Sequence, residues 1–168
     1  MNLRKADSAD LDTIWGIIRY AIEQRRLEGS RQWQDGYPNP ASLQEDLDKG
    51  NAYVLEQGAD ILLYAAVIFD GEPAYEAIEG RWLGHGDYLT VHRVAASPLA
   101  KGKGVATELF RMLENFAVQN GIYSIRVDTN FDNLAMLRIL EKLGYVYCGE
   151  VVFRGGTRKA FEKLLPQG

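Results

Sequence analysis

The stretch TVHRVAASPLAKGKGVATELFRML, Thr90 to Leu113, decides how this chain is read. An apolar run closes in Ser97-Pro98. A loop follows, with Gly102 and Gly104 set among Lys101 and Lys103. A helical pattern starts at once, with Val105, Leu109, Met112, Leu113 and Phe116 on one face. The first amides of a helix lack internal partners and lie at the positive end of its dipole, so they form a site for an anion, above all phosphate. Glycines allow close backbone approach, and the lysines add charge. A short glycine pattern also fits a solvated turn, so the neighbouring elements have to decide.

Downstream, Ile122–Thr129 reads as a strand, Asn133–Leu143 as a helix closed by Gly144, and Tyr145–Phe153 with Lys159–Leu165 as a hairpin through RGGT. A strand, a helix and a second strand imply a parallel pair with a right-handed crossover. Upstream, Asn2–Ala6 is a short strand. Leu11, Ile14, Trp15, Ile18 and Ile22 mark a helix that stops near Gly29, and Ser42–Lys49 marks a short one. RQWQDGYPNP is a loop, and NAYVLEQGADILLYAAVIFDG is a hairpin. Glu72–Gly86 is a long connection, of a length that often carries function.

Composition bounds the rest. The 168 residues suffice for one domain with a substantial core, taken as 1–168. A net charge of -4 speaks against a general nucleic-acid binder. No apolar segment approaches the ~20 residues a bilayer span needs, and the start MNLRKADSAD turns acidic at once with no apolar run, so no signal sequence is expected there. One cysteine, Cys148, excludes an internal disulfide and fits a reducing compartment. With two histidines beside it, ligands for a Cys/His zinc site are lacking, and no metal is expected. The expectation is a soluble, cytoplasmic domain.

Three phosphate-binding patterns can be compared with the loop. A P-loop needs G-x-x-x-x-G-K-[ST], which GKGVAT does not supply. A Rossmann dinucleotide site shares the strand, the G-K-G and an acid, Asp128, about 20 residues on. Its third glycine is replaced by Thr107, and five residues, SPLAK, separate strand from glycine. The whole of VAASPLAKGKGVA resembles the coenzyme A pyrophosphate loop of the GNAT superfamily of acyl-CoA N-acyltransferases. Lys101 stands where Arg or Gln is usual. DTNFDNLAMLRILEKLGYVYCGEV resembles that family's next motif, and the element order agrees over residues 2–165. QWQDGYPN and GDYLTVHRVA resemble features of a bacterial branch of the superfamily.

The resemblance implies an α/β (α+β) fold: a mixed, mostly antiparallel central sheet with a splayed parallel pair in the middle and helices on both faces. It implies acetyl-CoA as co-substrate. Pantetheine would bond the backbone of Val94 and Ala96 beside the small Ala95. Lys101, Gly102, Lys103, Gly104, Val105, Ala106 and Thr107 would hold the pyrophosphate, and Asn133 would lie near the pantetheine arm. Asn133 also reads as a helix cap.

The implied reaction is direct acetyl transfer to a primary amine, which needs a base. Thr90, His92 and Val94 share a strand face by the two-residue period. His92 is the first candidate base, since histidine titrates near neutrality. Asp128 is the second, or it orients Arg126 or His92. The tyrosine that many members use as acid is replaced by Leu140, with Tyr75 or Tyr37 as substitutes. Trp33, Tyr37, Tyr75 and Glu76 are candidate acceptor contacts, by charge and cation–π attraction. The acceptor is a small molecule or a peptide, and a homodimer is implied by analogy alone. Two other classes stay open: an acyl-CoA-binding sensor or degenerate member without turnover, and the Rossmann reading. Cys148 has no neighbouring histidine and reads as a buried thiol.

Overall fold

A computed structural model describes residues 1–167. Eight strands and four α-helices follow in chain order: β1 (Asn2–Lys5), α1 (Leu11–Leu27), α2 (Pro40–Asp48), β2 (Ala52–Gln57), β3 (Asp60–Ile68), β4 (Glu79–Gly80), β5 (Leu89–Ala96), α3 (Val105–Gln119), β6 (Ser124–Thr129), α4 (Leu134–Lys142), β7 (Val146–Phe153) and β8 (Gly156–Leu164). They build one sheet in the order β1-β2-β3-β5-β6-β8-β7-β4. Among the registered pairs, β5 and β6 run parallel and the others antiparallel, so the sheet is mixed and mostly antiparallel.

By their internal contacts the residues group into two units. One holds Met1–Val67 with Arg93–Leu109; the other holds Ile68–His92 with the chain from Phe110 onward. Strand β5 contributes to both.

In the first unit, the helical spacing of α1 aims Ile14, Ile17, Ile18 and Ala21 at Leu43, Val54, Tyr64 and Ala95, which together form its core. Asn39 caps α2 in a capping box with Ser42, and Pro40 sits at the first turn, where no donor is lost. In the second unit, β5 and β6 pair only at Leu89↔Ile125 and Thr90↔Arg126, although both strands run on. The parallel pair therefore opens after one short ladder.

Two details differ from the sequence reading. The last hairpin turns in two residues, Arg154 and Gly155, both at positive φ (53° and 76°), so β8 begins at Gly156 and not at Lys159. The connection from Glu72 is not bare loop: Pro73–Ala77 makes a 3₁₀ turn and β4 pairs with β7. There the backbones touch. A Cβ at Gly80 would lie 2.1 Å from the Cys148 carbonyl, and one at Gly149 would lie 2.2 Å from that of Glu79. Only glycine fits at either position.

Candidate active site

The second unit gathers a buried polar cluster around His92. The imidazole Nε2 lies 3.3 Å from Glu72 Oε2, and Nδ1 lies 3.7 Å from Asp128 Oδ2. The ring stacks on Phe153 at 5.2 Å and 17°, which fixes its plane. The Tyr75 hydroxyl donates to Asp128 Oδ2 at 2.6 Å and lies 3.2 Å from Thr90 Oγ1. The two candidates His92 and Asp128 are thus together, and Thr90 shares their face. A carboxylate oxygen thus faces each ring nitrogen.

Glu72 is the member that sequence reasoning left out of the catalytic set. It lies 20 positions before His92, in a connection with no periodicity to orient it. Its backbone amide donates to the Tyr88 hydroxyl at 2.9 Å, and its side chain accepts from Ala74.

Tyr75 does not offer itself as a proton donor to a leaving group. Its ring is 1% exposed. Burial first, then the Asp128 carboxylate, push the phenol's pKa well above its ordinary value. It therefore stays protonated and serves to hold Asp128. Trp82 and Tyr88 pack against it. Glu76 beside it is exposed. Leu140 is fully buried.

Asp128 accepts from Tyr75 and lies beside His92; Arg126 belongs to a different cluster. Its Nε donates to the fully buried Glu162 at 3.0 Å, Nη2 donates to the Gly84 carbonyl at 2.8 Å, and its guanidinium lies between Trp82 and Tyr88. Glu162 also accepts from the amides of Leu83 (2.6 Å) and Gly84 (3.2 Å) and from Ser124 Oγ (2.5 Å). This cluster ties the stretch before β5 down onto β6 and β8.

In the first unit, the predicted loop is solvent-exposed from Lys101 to Gly104. Gly102 and Gly104 have φ of 78° and 61°, and no atom stands near the position of a Cβ on either. Lys103 N donates to the Ala100 carbonyl. Among the described residues, the amides of Gly102, Gly104, Val105, Ala106 and Thr107 donate to no protein acceptor. Five open amides at a 15-residue helix start, with two lysines, suit a pyrophosphate. Asn133, in the second unit, caps α4 by accepting from Met136 N at 3.2 Å.

Strand β5 breaks its own alternation. Arg93 has φ of 55°, a left-handed residue inside a strand, which is bulge geometry. The face shared by Thr90 and His92 therefore does not extend by simple alternation to Val94. Ala95 turns into the core formed with α1. Arg93 itself binds Asp46 through Nε (2.8 Å) and Nη2 (2.5 Å), and donates to the Tyr37 hydroxyl. Trp33 is buried in the same unit under Arg25. The four acceptor candidates thus divide: Trp33 and Tyr37 lie in one unit, Tyr75 and Glu76 in the other.

Cys148 is buried, with its thiol pKa pushed up by burial. Among the described residues no group of three or more His, Cys, Asp and Glu could hold a metal ion. No helix among them is long and apolar enough to cross a membrane.

Comparison with known proteins gives one family. The profile described as acetyltransferase (GNAT) family matches residues 19–145. Among solved structures, an acetyltransferase of the GNAT family from Streptococcus agalactiae is 37% identical, with a TM-score of 0.87, over 98% of this chain and 95% of that one. A GNAT-family acetyltransferase from Listeria monocytogenes shares the fold at 17% identity and a TM-score of 0.78, over 98% and 94%. So does yncA from Salmonella typhimurium, solved with its cofactor acetyl-CoA, at 18% identity and 0.68, over 100% and 95%. Among curated proteins none matches.

Proposed function

The chain belongs to the GNAT family of acetyltransferases, and from that premise we propose that it moves an acetyl group from acetyl-CoA to a primary amine by direct attack in a ternary complex. The observation that carries this reading is the His92 imidazole held between the carboxylates of Glu72 and Asp128, on the strand that feeds the glycine loop. Residues 1–168 act as one domain in this reading, since the family match runs through both units. The one unpaired cysteine suits a reducing, cytoplasmic setting.

Val94, Ala95 and Ala96 present backbone to the pantetheine arm, and Asn133 lies near it. Lys101 to Thr107 hold the pyrophosphate through open amides and charge. The acceptor ammonium first gives one proton to water. The neutral amine then attacks the thioester carbonyl: the C–N bond forms, the C–S bond breaks, and its electron pair leaves on the thiolate. His92 takes the second amine proton while Glu72 and Asp128 offset the charge it gains. Imidazolium can return that proton to the thiolate. This route needs no side-chain acid where Leu140 stands. Tyr75 keeps Asp128 in place.

Calorimetric titration with acetyl-CoA, with NADH as control, tests the cofactor. Release of coenzyme A thiol with a panel of amines tests the reaction. Binding of acetyl-CoA alone, with amine-dependent thiol release, is expected. A second reading is favoured by the buried Leu140 and the locked Tyr75: a member that binds acyl-CoA without turnover. Binding without thiol release from any amine would select it. NADH binding would revive the dinucleotide reading and sink both.

A further inference from the structure

Arg93 holds a backbone conformation that its own residue type resists. Among the described residues, three non-glycines have positive φ: Trp33, Arg93 and Arg154. Trp33 lies in the connection after α1, and Arg154 lies in a hairpin turn of the kind that demands such a φ. Arg93 alone lies inside a strand, at φ 55° in β5. A Cβ disfavours that region, so a non-glycine residue stays there only where its surroundings enforce it.

The enforcing contacts are buried in the same unit. Asp46 on α2 accepts from two in-plane donors of the guanidinium, Nε at 2.8 Å and Nη2 at 2.5 Å, a fork that fixes direction as well as distance. Nη1 donates to the Tyr37 hydroxyl. Asp46 is fixed in turn, because its Oδ2 accepts from the fully buried Tyr64 of β3 at 2.6 Å. The side chains of Arg93 and Asp46 are 12% and 5% exposed. A pair this deep is a poor source of stability, since well-packed apolar residues commonly do as well. Its geometric effect is specific. A side chain tied at its tip to a helix restricts the backbone that carries it. Beyond Arg93, Ala95 packs into the core under α1, and the Ser97 amide donates to the Leu62 carbonyl at 2.9 Å. The backbone from Val94 to Ala96 therefore runs between two fastened points, and the fork fastens the first.

We propose that Arg93 and Asp46 are positioning residues for acyl-CoA: their buried fork keeps β5 in its left-handed bulge and so aims the backbone of Val94 to Ala96 at the pantetheine arm. This rests on the acetyl-transfer reading above. Neither side chain touches the cofactor in this assignment; both act through the main chain.

Two double variants separate backbone shape from the loss of the pair. Asp46→Asn/Arg93→Gly and Asp46→Asn/Arg93→Ala both lose the fork, leave no orphan charge and keep an acceptor for Tyr64. They differ at position 93 alone, where glycine enters the left-handed region freely and alanine does not. Apparent affinity falls with the fraction of molecules in the binding conformation. In calorimetric titration with acetyl-CoA, the glycine double is expected within about threefold of wild type, and the alanine double at least about tenfold weaker than the glycine one. A pair that only stabilised the fold would be missed alike in both. Equal affinities in the two doubles would therefore overturn the proposal, whether both match the wild type or both fall. Should either double fail to fold, Arg93→Lys decides. It keeps the charge and loses the fork, so binding at least about threefold weaker is expected, and unchanged affinity overturns the proposal. Wild-type protein that binds no acetyl-CoA would remove the acetyl-transfer reading itself; wild-type binding with equal doubles would remove only the positioning role.

Discussion

Replacing Glu162 by Gln keeps shape and removes one charge from a fully buried site. The carboxylate accepts from the Leu83 and Gly84 amides, Ser124 Oγ and Arg126 Nε, and is itself fully buried. All four neighbours are donors, so the new amide NH₂ must face one of them. Arg126, whose side chain is 9% exposed, loses its one carboxylate partner among the described residues. Removing one partner of a buried pair costs about 3–5 kcal/mol, a large share of the roughly 5–15 kcal/mol that holds a domain together. For a chain of this length each kcal/mol shifts the melting temperature by about 2–4 °C, so a fall of about 6–20 °C is expected by calorimetry. The cluster also pins Leu83 and Gly84 ahead of β5, so the acceptor KM should rise. The double variant Arg126→Met/Glu162→Met should recover much of the loss, because an apolar pair leaves no orphan charge. A loss below about 1 kcal/mol, or a double variant no better than Glu162→Gln, would show that the charge of this pair does not matter and refute the argument.

Three further outcomes follow from the same geometry. Gly104→Glu should lower acetyl-CoA affinity more than tenfold by calorimetry, while the left-handed backbone at φ 61° costs the fold only about 1–2 kcal/mol; unchanged affinity would remove the loop from the site. His92→Gln should cut kcat on the order of 10²–10⁴ and leave acetyl-CoA binding intact; a kcat within threefold would demote His92 to structure. Hydrogen bonding to Arg4 lowers the carboxyl pKa of Asp10, and likewise that of Glu56. A depressed folded pKa stabilises above the ordinary carboxylate value and loses that stability as pH falls through the folded one. Wild-type denaturation midpoints should therefore drop more steeply below pH about 4 than those of Arg4→Gln, and parallel curves would contradict the pairing.

Periodic patterns made most of the fold legible. The apolar spacing in α1 and α3 and the strand–loop–helix run from Thr90 depend on neighbours in sequence. His92 and Asp128 were legible because each lies on a strand whose alternation aims it. Glu72 was not, because a 3₁₀ turn with a two-residue strand after it leaves no period to read. The partners of Arg93 and Arg126 lie 47 and 36 positions away, so only the folded chain reveals them. Arg93's left-handed backbone had no signal either, since arginine is not a residue that announces a bulge.

The contact between Gly80 and Gly149 sets terms for how this protein can diverge. That contact and the Glu162 bonds to Leu83 and Gly84 stand three and four residues apart along the connection, and Arg81 and Trp82 are stretched between them. Trp82 is committed further, since its ring nitrogen donates to the Tyr75 carbonyl. A lineage that adapts to a new acceptor through this connection has little room from residue 80 to 84. Its freedom lies on either side, at exposed Pro73, Glu76 and Ala77 and at exposed His85, Gly86 and Asp87. Insertions there would lengthen the rim and leave the strand bearing His92 where it is.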